Sequence, residues 1–111
     1  MSDIANDRLS RLRTRIDEID LQILQSINER TLVVEDIGKV KREFGLPIYE
    51  PKREDDVYRN VTENNHGPLP PDAVRRIFER IIDEMRTVQR NRMVAMQQVP
   101  KPTNPAGGSG A

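Results

Sequence analysis

Two cationic residues stand where the sequence predicts core positions. Apolar residues recur at helical spacing up to Ile27, and continuing this pattern in steps of three and four leads to Arg30, Val34, Ile37 and Lys41. Because burying an unpaired charge is costly in free energy, carboxylates or an anionic ligand should meet the two cations. The spacing therefore indicates an anion-binding site built on one face of a helix.

An alternative explanation of the two cations needs no ligand. Their long side chains can extend to solvent, or they can form salt bridges, for which Glu50, Glu54 and Asp83 are candidate partners. Such pairs are more common in helical proteins than ligand sites are. The two cations alone leave both explanations open.

Two further residues are unusual for their positions. Gln89 lies on an apolar stripe with Ile82 and Met85, so an uncharged donor occurs where an apolar side chain is expected, although many buried glutamines only bond backbone groups. Gly38 lies inside the helix that carries the two cations, where glycine costs about 1 kcal/mol relative to alanine. It indicates a close approach by a ligand or, more simply, tight packing of another helix.

The sequence lacks the motifs of covalent, metal and phosphate chemistry. It has no cysteine, one histidine and no glycine-rich phosphate loop, and its 18 Lys and Arg residues balance 18 Asp and Glu residues. A strong overall attraction to nucleic acid or to an anionic membrane is therefore excluded. The chain begins without a secretory signal pattern and contains no apolar run of about 20 residues. We expect a soluble, cytoplasmic protein that works by positioning and electrostatics.

One long helix must position most of these residues. Residues 6–44 contain no proline and a single glycine, with Asn6 or Asp7 as the expected cap. The segment GLPIYEP at residues 45–51 should end this helix, because Gly45 suits a C-terminal cap and the prolines disfavour helix in the residues before them.

Two shorter helices should follow. Pro51 suits the first position of a second helix that stops near residues 64–67, and Pro71 suits the start of a third helix. The third helix has a predicted buried stripe of Val74, Ile77, Phe78, Ile81, Ile82, Met85 and Val88. We predict an all-α domain over residues 1–96 and a disordered, Pro- and Gly-rich tail over residues 97–111.

The length of the first helix predicts assembly. About 37 residues would span roughly 55 Å, whereas a compact domain of this size has a radius of gyration of about 13 Å. The apolar stripe of the helix then needs cover from a second molecule. An intertwined homodimer with three helices per chain, the first long, the second short and the third of medium length, is the simplest closed solution.

Three segments together resemble a known family. LRTRIDEIDLQILQSINERTLVVEDIGKVK, then PIYEPKREDDV, then IFERIIDEMRTVQ, are similar to the all-helical class of chorismate mutase, over about three quarters of the chain. This resemblance implies an isomerase that rearranges chorismate to prephenate in phenylalanine and tyrosine biosynthesis. It also implies an intertwined homodimer, no metal and no cofactor.

The resemblance further implies roles for four residues around the reacting bond. Arg30 and Arg13 of the partner subunit would hold the substrate's carboxylates, and Lys41 and Gln89 would face its ether oxygen. Geometry agrees with a contribution from the partner, because Arg13 precedes Arg30 by 17 residues, which is about 25 Å along a helix. An antiparallel partner helix could bring its own copy to the site.

Four more residues complete the implied site. Glu54 and the backbone around Glu50 would bind the ring hydroxyl, and Arg53 would add positive potential. Met85 departs from the family pattern, since a small hydroxyl residue that helps to hold a carboxylate often occupies this position. Because methionine cannot donate that bond, the departure concerns substrate affinity more than the reaction.

Two other functions remain open from the sequence. Isochorismate-pyruvate lyase shares the fold and much of the cationic cage. A helical dimerisation module without activity would use Arg30 and Lys41 as structural ion-pair partners. Activation by docking to another enzyme of aromatic biosynthesis is a further hypothesis.

Overall fold

The computed structural model describes the backbone of residues 2–98 and the side chains of residues 2–92. It contains three helices, α1 (Ser2–Phe44), α2 (Pro51–Glu63) and α3 (Pro71–Gln98), and no strand in the described backbone. This confirms the predicted all-α class with long, short and medium helices in that order. None of the described helices is both long and apolar enough to cross a membrane.

Helix α1 begins at Ser2, so the predicted cap at Asn6 or Asp7 is wrong. Residues 2–5 contain no proline or glycine that would interrupt the helix before Asn6. Asp3 places a negative charge in the first turn, where the helix dipole favours it.

The other end of α1 follows the prediction. Gly45 has a φ of 64°, its N–H donates to Arg42 O at 3.4 Å, and the N–H of Leu46 donates to Lys41 O at 2.7 Å. This is the Schellman arrangement, which favours glycine at this position.

Prolines start the next two helices as predicted. Pro51 occupies the first turn of α2. The helix ends at Glu63, and the C-cap residue Asn64 donates its N–H to Asn60 O at 3.2 Å. Pro71 opens α3, which continues to Gln98. The predicted tail, residues 97–111, thus lies almost entirely outside the described residues, and the division into domain and tail stays a prediction.

Contacts divide the chain into two units, Met1–Val33 and Val34–Ala111. The first unit is a stretch of α1 alone, and its described residues include no buried side chain. Its apolar stripe is instead open to solvent: the exposed members are Leu9, Leu12, Ile16, Ile19 and Ile23. An exposed apolar stripe of this kind is typical of a protein–protein interaction surface.

The second unit contains the core. Its buried apolar residues are Val34, Val74, Ile82 and Met85, and Phe78, Ile81 and Val88 are partly buried. Ile77 was predicted to be buried but is 47% exposed. It lies three residues from Val74 and five from Ile82, at the edge of the face on which the other residues of the stripe meet.

Candidate functional site

Lys41 is a buried cation held by the connection that follows its own helix. Its side chain is only 9% exposed, and Nζ lies 2.8 Å from Glu50 Oε1 and donates to Ile48 O at 3.0 Å. The turn at Gly45 makes this possible, because it reverses the chain and brings residues 48–50 back over the last turn of α1. Of the three acidic partners proposed from the sequence, the structure selects Glu50.

Gln89 lies in the core of the second unit, as its place on the apolar stripe predicted. It is 8% exposed, and Nε2 donates to Val34 O at 3.2 Å. A β-carbon built on Gly38 would lie 3.7 Å from Gln89 Cγ, which is ordinary contact. Helix packing therefore accounts for the neighbourhood of Gly38, and that packing leaves room for a methyl group.

Glu54 pairs across helices and not with the adjacent Arg53. Its side chain is 18% exposed, and Oε2 lies 3.3 Å from Arg86 Nε on α3. The Nη2 of Arg86 donates to Asp83 Oδ1 at 3.1 Å. Glu54 and Asp83, both proposed as partners of Lys41, are thus paired with a cation that sequence reasoning missed.

The missed residue had a weak sequence signal. Asp83 and Arg86 are three positions apart on a charged helix, a spacing typical of an ordinary surface pair. Their spacing gives no indication that Arg86 also reaches α2. Only the packing of α2 against α3 makes that contact, and the structure has this packing.

Met85 is a core residue here. It is 6% exposed and lies with Val74 and Ile82 in the apolar interior of the second unit. Arg53 is exposed at the start of α2. The structure therefore brings Lys41 together with Glu50, whereas Arg53 contributes charge at the surface.

Arg13 and Arg30 belong to the first unit. Arg13 is exposed and Arg30 is partly buried, and both lie on the single continuous helix α1. Their 17-residue separation corresponds to about 25 Å along the helix axis. Within one chain these two side chains cannot share a small ligand.

The buried hydrogen-bond donors of the second unit are suited to stabilising negative charge. Lys41 and Gln89 are buried polar donors in a small apolar core, where water screens an interaction less than it does at the surface. Among the described residues, no group of three or more His, Cys, Asp and Glu side chains could hold a metal ion. Donors of this kind stabilise an oxygen that gains negative charge.

Comparison with known proteins identifies similar chains. Residues 12–90 match the family model "Chorismate mutase type II". A bifunctional chorismate mutase/prephenate dehydratase of Neisseria gonorrhoeae is 36% identical over 95 residues, which cover 86% of this chain and 26% of that protein. The chain thus spans about a quarter of the length of that relative.

Two further matches cover most of the similar protein. A chorismate mutase of Methanocaldococcus jannaschii is 30% identical, with 76% of this chain and 86% of that protein covered. The solved structure of chorismate mutase (form II) from Thermus thermophilus has a TM-score of 0.73 and 34% identity, and covers 75% of this chain and 94% of that chain.

Proposed function

The chain belongs to the chorismate mutase type II family, and we propose that it rearranges chorismate to prephenate in phenylalanine and tyrosine biosynthesis. The observation that carries this proposal is the burial of two hydrogen-bond donors, Lys41 and Gln89, in the core of the second unit. A stable core would place apolar side chains at both positions. Donors at these positions are explained by a task that needs them in a water-poor environment.

The reaction needs no nucleophile. One carbon–oxygen bond of chorismate breaks while a carbon–carbon bond forms in the same molecule, and negative charge grows on the ether oxygen. No acid, base or cofactor is obligatory. The enzyme must hold the folded conformer and stabilise that charge.

The hydrogen bonds of Lys41 and Gln89 leave donors for this purpose. An ammonium group has three N–H donors, and Lys41 uses two of them on Ile48 O and Glu50. An amide has two, and Gln89 uses one on Val34 O. We assign the remaining N–H of each residue to the ether oxygen. Because their other bonds fix both groups, little reorganisation is needed during the reaction.

A homodimer completes the proposed site. The exposed apolar stripe of the first unit supports burial against a second copy of the chain, and Arg13 lies too far along α1 from Arg30 to serve the same ligand within one chain. We propose that Arg30 and Arg13 of the partner subunit bind the two carboxylates of the substrate.

The ring hydroxyl is assigned to the start of α2. Glu54 would accept its hydrogen bond beside the backbone of Glu50, and exposed Arg53 would add positive potential. Met85 supplies no hydroxyl for a carboxylate. Its burial in the core fits a packing role. We therefore expect methionine at this position, in place of the hydroxyl residue that the family often has, to weaken substrate affinity more than turnover.

Docking to a second enzyme is a further part of the proposal. The Neisseria relative combines chorismate mutase and prephenate dehydratase in one chain. This supports the hypothesis that the present chain works beside another enzyme of aromatic biosynthesis.

The decisive experiment follows loss of chorismate absorbance and identifies the product. We expect saturable formation of prephenate, which Lys41→Met or Gln89→Ala should each reduce by about 100- to 1,000-fold. Lys39→Met is the matched control, since Lys39 is an exposed lysine on the same helix, and it should retain activity.

Other outcomes favour the competing functions. Release of pyruvate from isochorismate would indicate the lyase. A folded dimer without turnover of either compound would favour the dimerisation module. Full activity in Gln89→Ala would contradict the catalytic role proposed for Gln89.

A further inference from the structure

Arg86 connects three segments that carry parts of the proposed site. It lies on α3 between Met85 and Gln89, and its Nε is 3.3 Å from Glu54 Oε2 on α2. Its guanidinium carbon is 5.4 Å from the centre of the Tyr49 ring, in the connection between α1 and α2. Its side chain is only 29% exposed, which is low for an arginine.

The contact between Arg86 and Glu54 has an unusual feature. Among the described side chains, Arg86 Nε is a buried nitrogen without a hydrogen-bond partner, although a carboxylate oxygen lies 3.3 Å away. The two groups therefore attract each other as charges, but the N–H is not aligned with the oxygen. A buried donor of this kind calls for an explanation.

The remaining contacts of Arg86 fix its position. Asp83, one turn earlier on α3, accepts a hydrogen bond from Nη2 at 3.1 Å. The Tyr49 ring lies within the range of a cation–π interaction with the guanidinium. The guanidinium is thus held by its own helix and by the connection, so that its Nε faces α2.

Glu54 is the group that benefits from this arrangement. With an 18% exposed side chain, it is largely removed from water, and burying an unpaired carboxylate is costly in free energy. The contact with Arg86 runs from Nε to Oε2 of the carboxylate, at 3.3 Å. A carboxylate has two acceptor oxygens, so Oε1 can accept a hydrogen bond from a ligand while Oε2 faces Arg86.

We propose that Arg86 is a positioning residue that orients the Glu54 carboxylate towards the ring hydroxyl of the substrate, an inference that rests on the function proposed above. Arg86 itself contacts no substrate. When the hydroxyl engages Oε1, a small rotation of the carboxylate would align Oε2 with the buried Nε–H, so that substrate binding satisfies the unbonded donor.

A double-mutant cycle on kcat/KM tests this proposal. Arg86→Met should lower kcat/KM for chorismate about tenfold, which is the size expected for a hydrogen bond to a charged group near the surface. If Arg86 acts through Glu54, the double variant Glu54→Gln/Arg86→Met should match Glu54→Gln within about twofold. Arg86→Lys keeps the charge without the planar fork, and its loss should be intermediate.

Arg80→Met provides a matched control. Arg80 is on the same helix and pairs with Glu84 at 2.9 Å, but its side chain is 76% exposed. Its removal changes the net charge by the same amount and should leave kcat/KM within about twofold of wild type. Circular dichroism and size-exclusion chromatography establish that each variant folds and assembles as the wild type does.

The outcomes separate this inference from the function on which it rests. Wild-type protein without chorismate turnover would overturn both. If the wild type is active, any of three results would overturn the inference alone. Arg86→Met could keep the wild-type kcat/KM, or the losses of the two single variants could multiply in the double variant. The third result is that Arg86→Lys loses as much kcat/KM as Arg86→Met does. Should Arg86→Met fail to fold, the same cycle with Arg86→Lys gives the answer.

Discussion

The ion pair of Lys41 and Glu50 joins a buried charge to a half-exposed one, with side-chain exposures of 9% and 49%. Loss of the Glu50 charge leaves a buried ammonium group with a weaker set of acceptors. Loss of Lys41 leaves a carboxylate that water can solvate. We therefore predict that Glu50→Gln destabilises the protein more than Lys41→Met does.

The magnitude follows from the geometry of the pair. At the Nζ–Oε1 distance of 2.8 Å, the attraction is about 1.5 kcal/mol in bulk water and about 6 kcal/mol at an effective dielectric constant of about 20. The cost of removing Lys41 from water offsets much of this, and its bond to Ile48 O at 3.0 Å survives in Glu50→Gln. We expect a net loss of about 1 to 2 kcal/mol, or a fall in Tm of about 5 to 10 °C.

Lys41→Met should change stability by less than about 1 kcal/mol, because a side chain of similar length buries apolar surface where the ammonium was. Its activity should nevertheless fall steeply. The variant would thus separate the role of Lys41 in catalysis from its role in folding.

Thermal and urea unfolding, followed by far-UV circular dichroism, measure the two effects. Protein concentrations must be equal, because association adds to the apparent stability of an oligomer. Lys39→Met, whose lysine pairs with Asp36 at 3.7 Å on the exposed face, should stay within about 0.5 kcal/mol of wild type. If Lys41→Met unfolds at a lower temperature or urea concentration than Glu50→Gln, leaving the buried charge without its partner is not the more costly change, and the reasoning is refuted.

Three further predictions concern local structure. Gly38→Ala should stabilise the protein by up to about 1 kcal/mol, since the new β-carbon meets Gln89 Cγ at 3.7 Å; a lower urea midpoint would contradict this. Gly45→Ala should destabilise by about 1 to 2 kcal/mol, because φ is 64° there, and an unchanged midpoint would refute that account. Burial and the charge of Glu54 raise the pKa of Tyr58 above the usual 10.0. The Tyr58 hydroxyl therefore loses its proton at a lower pH in the unfolded chain than in the folded one, and the free energy of unfolding should fall as pH rises above about 10. Urea titrations of Tyr58→Phe should show a shallower fall, and a pH profile identical to that of the wild type would count against the shift.

Several features could be predicted from the sequence because they depend on neighbouring residues. Gly45 fixes the end of α1, and Pro51 and Pro71 fix the starts of the next helices, since φ is restricted at proline and left-handed backbone favours glycine. Helical periodicity likewise placed Lys41 and Gln89 among apolar residues. The same local rules failed at the start of α1, where Asn6 could cap a helix but nothing prevented the helix from beginning earlier, at Ser2.

Only the tertiary structure decided which side chains meet. Glu50, Glu54 and Asp83 were equivalent partners for Lys41 in the sequence, and the return of the connection over α1 selected Glu50. The packing of α2 against α3 paired Glu54 with Arg86, which no local pattern indicated. The physical reason is that periodicity sets the face of a helix on which a residue lies, whereas an ion pair depends on the distance between elements, which only their packing sets.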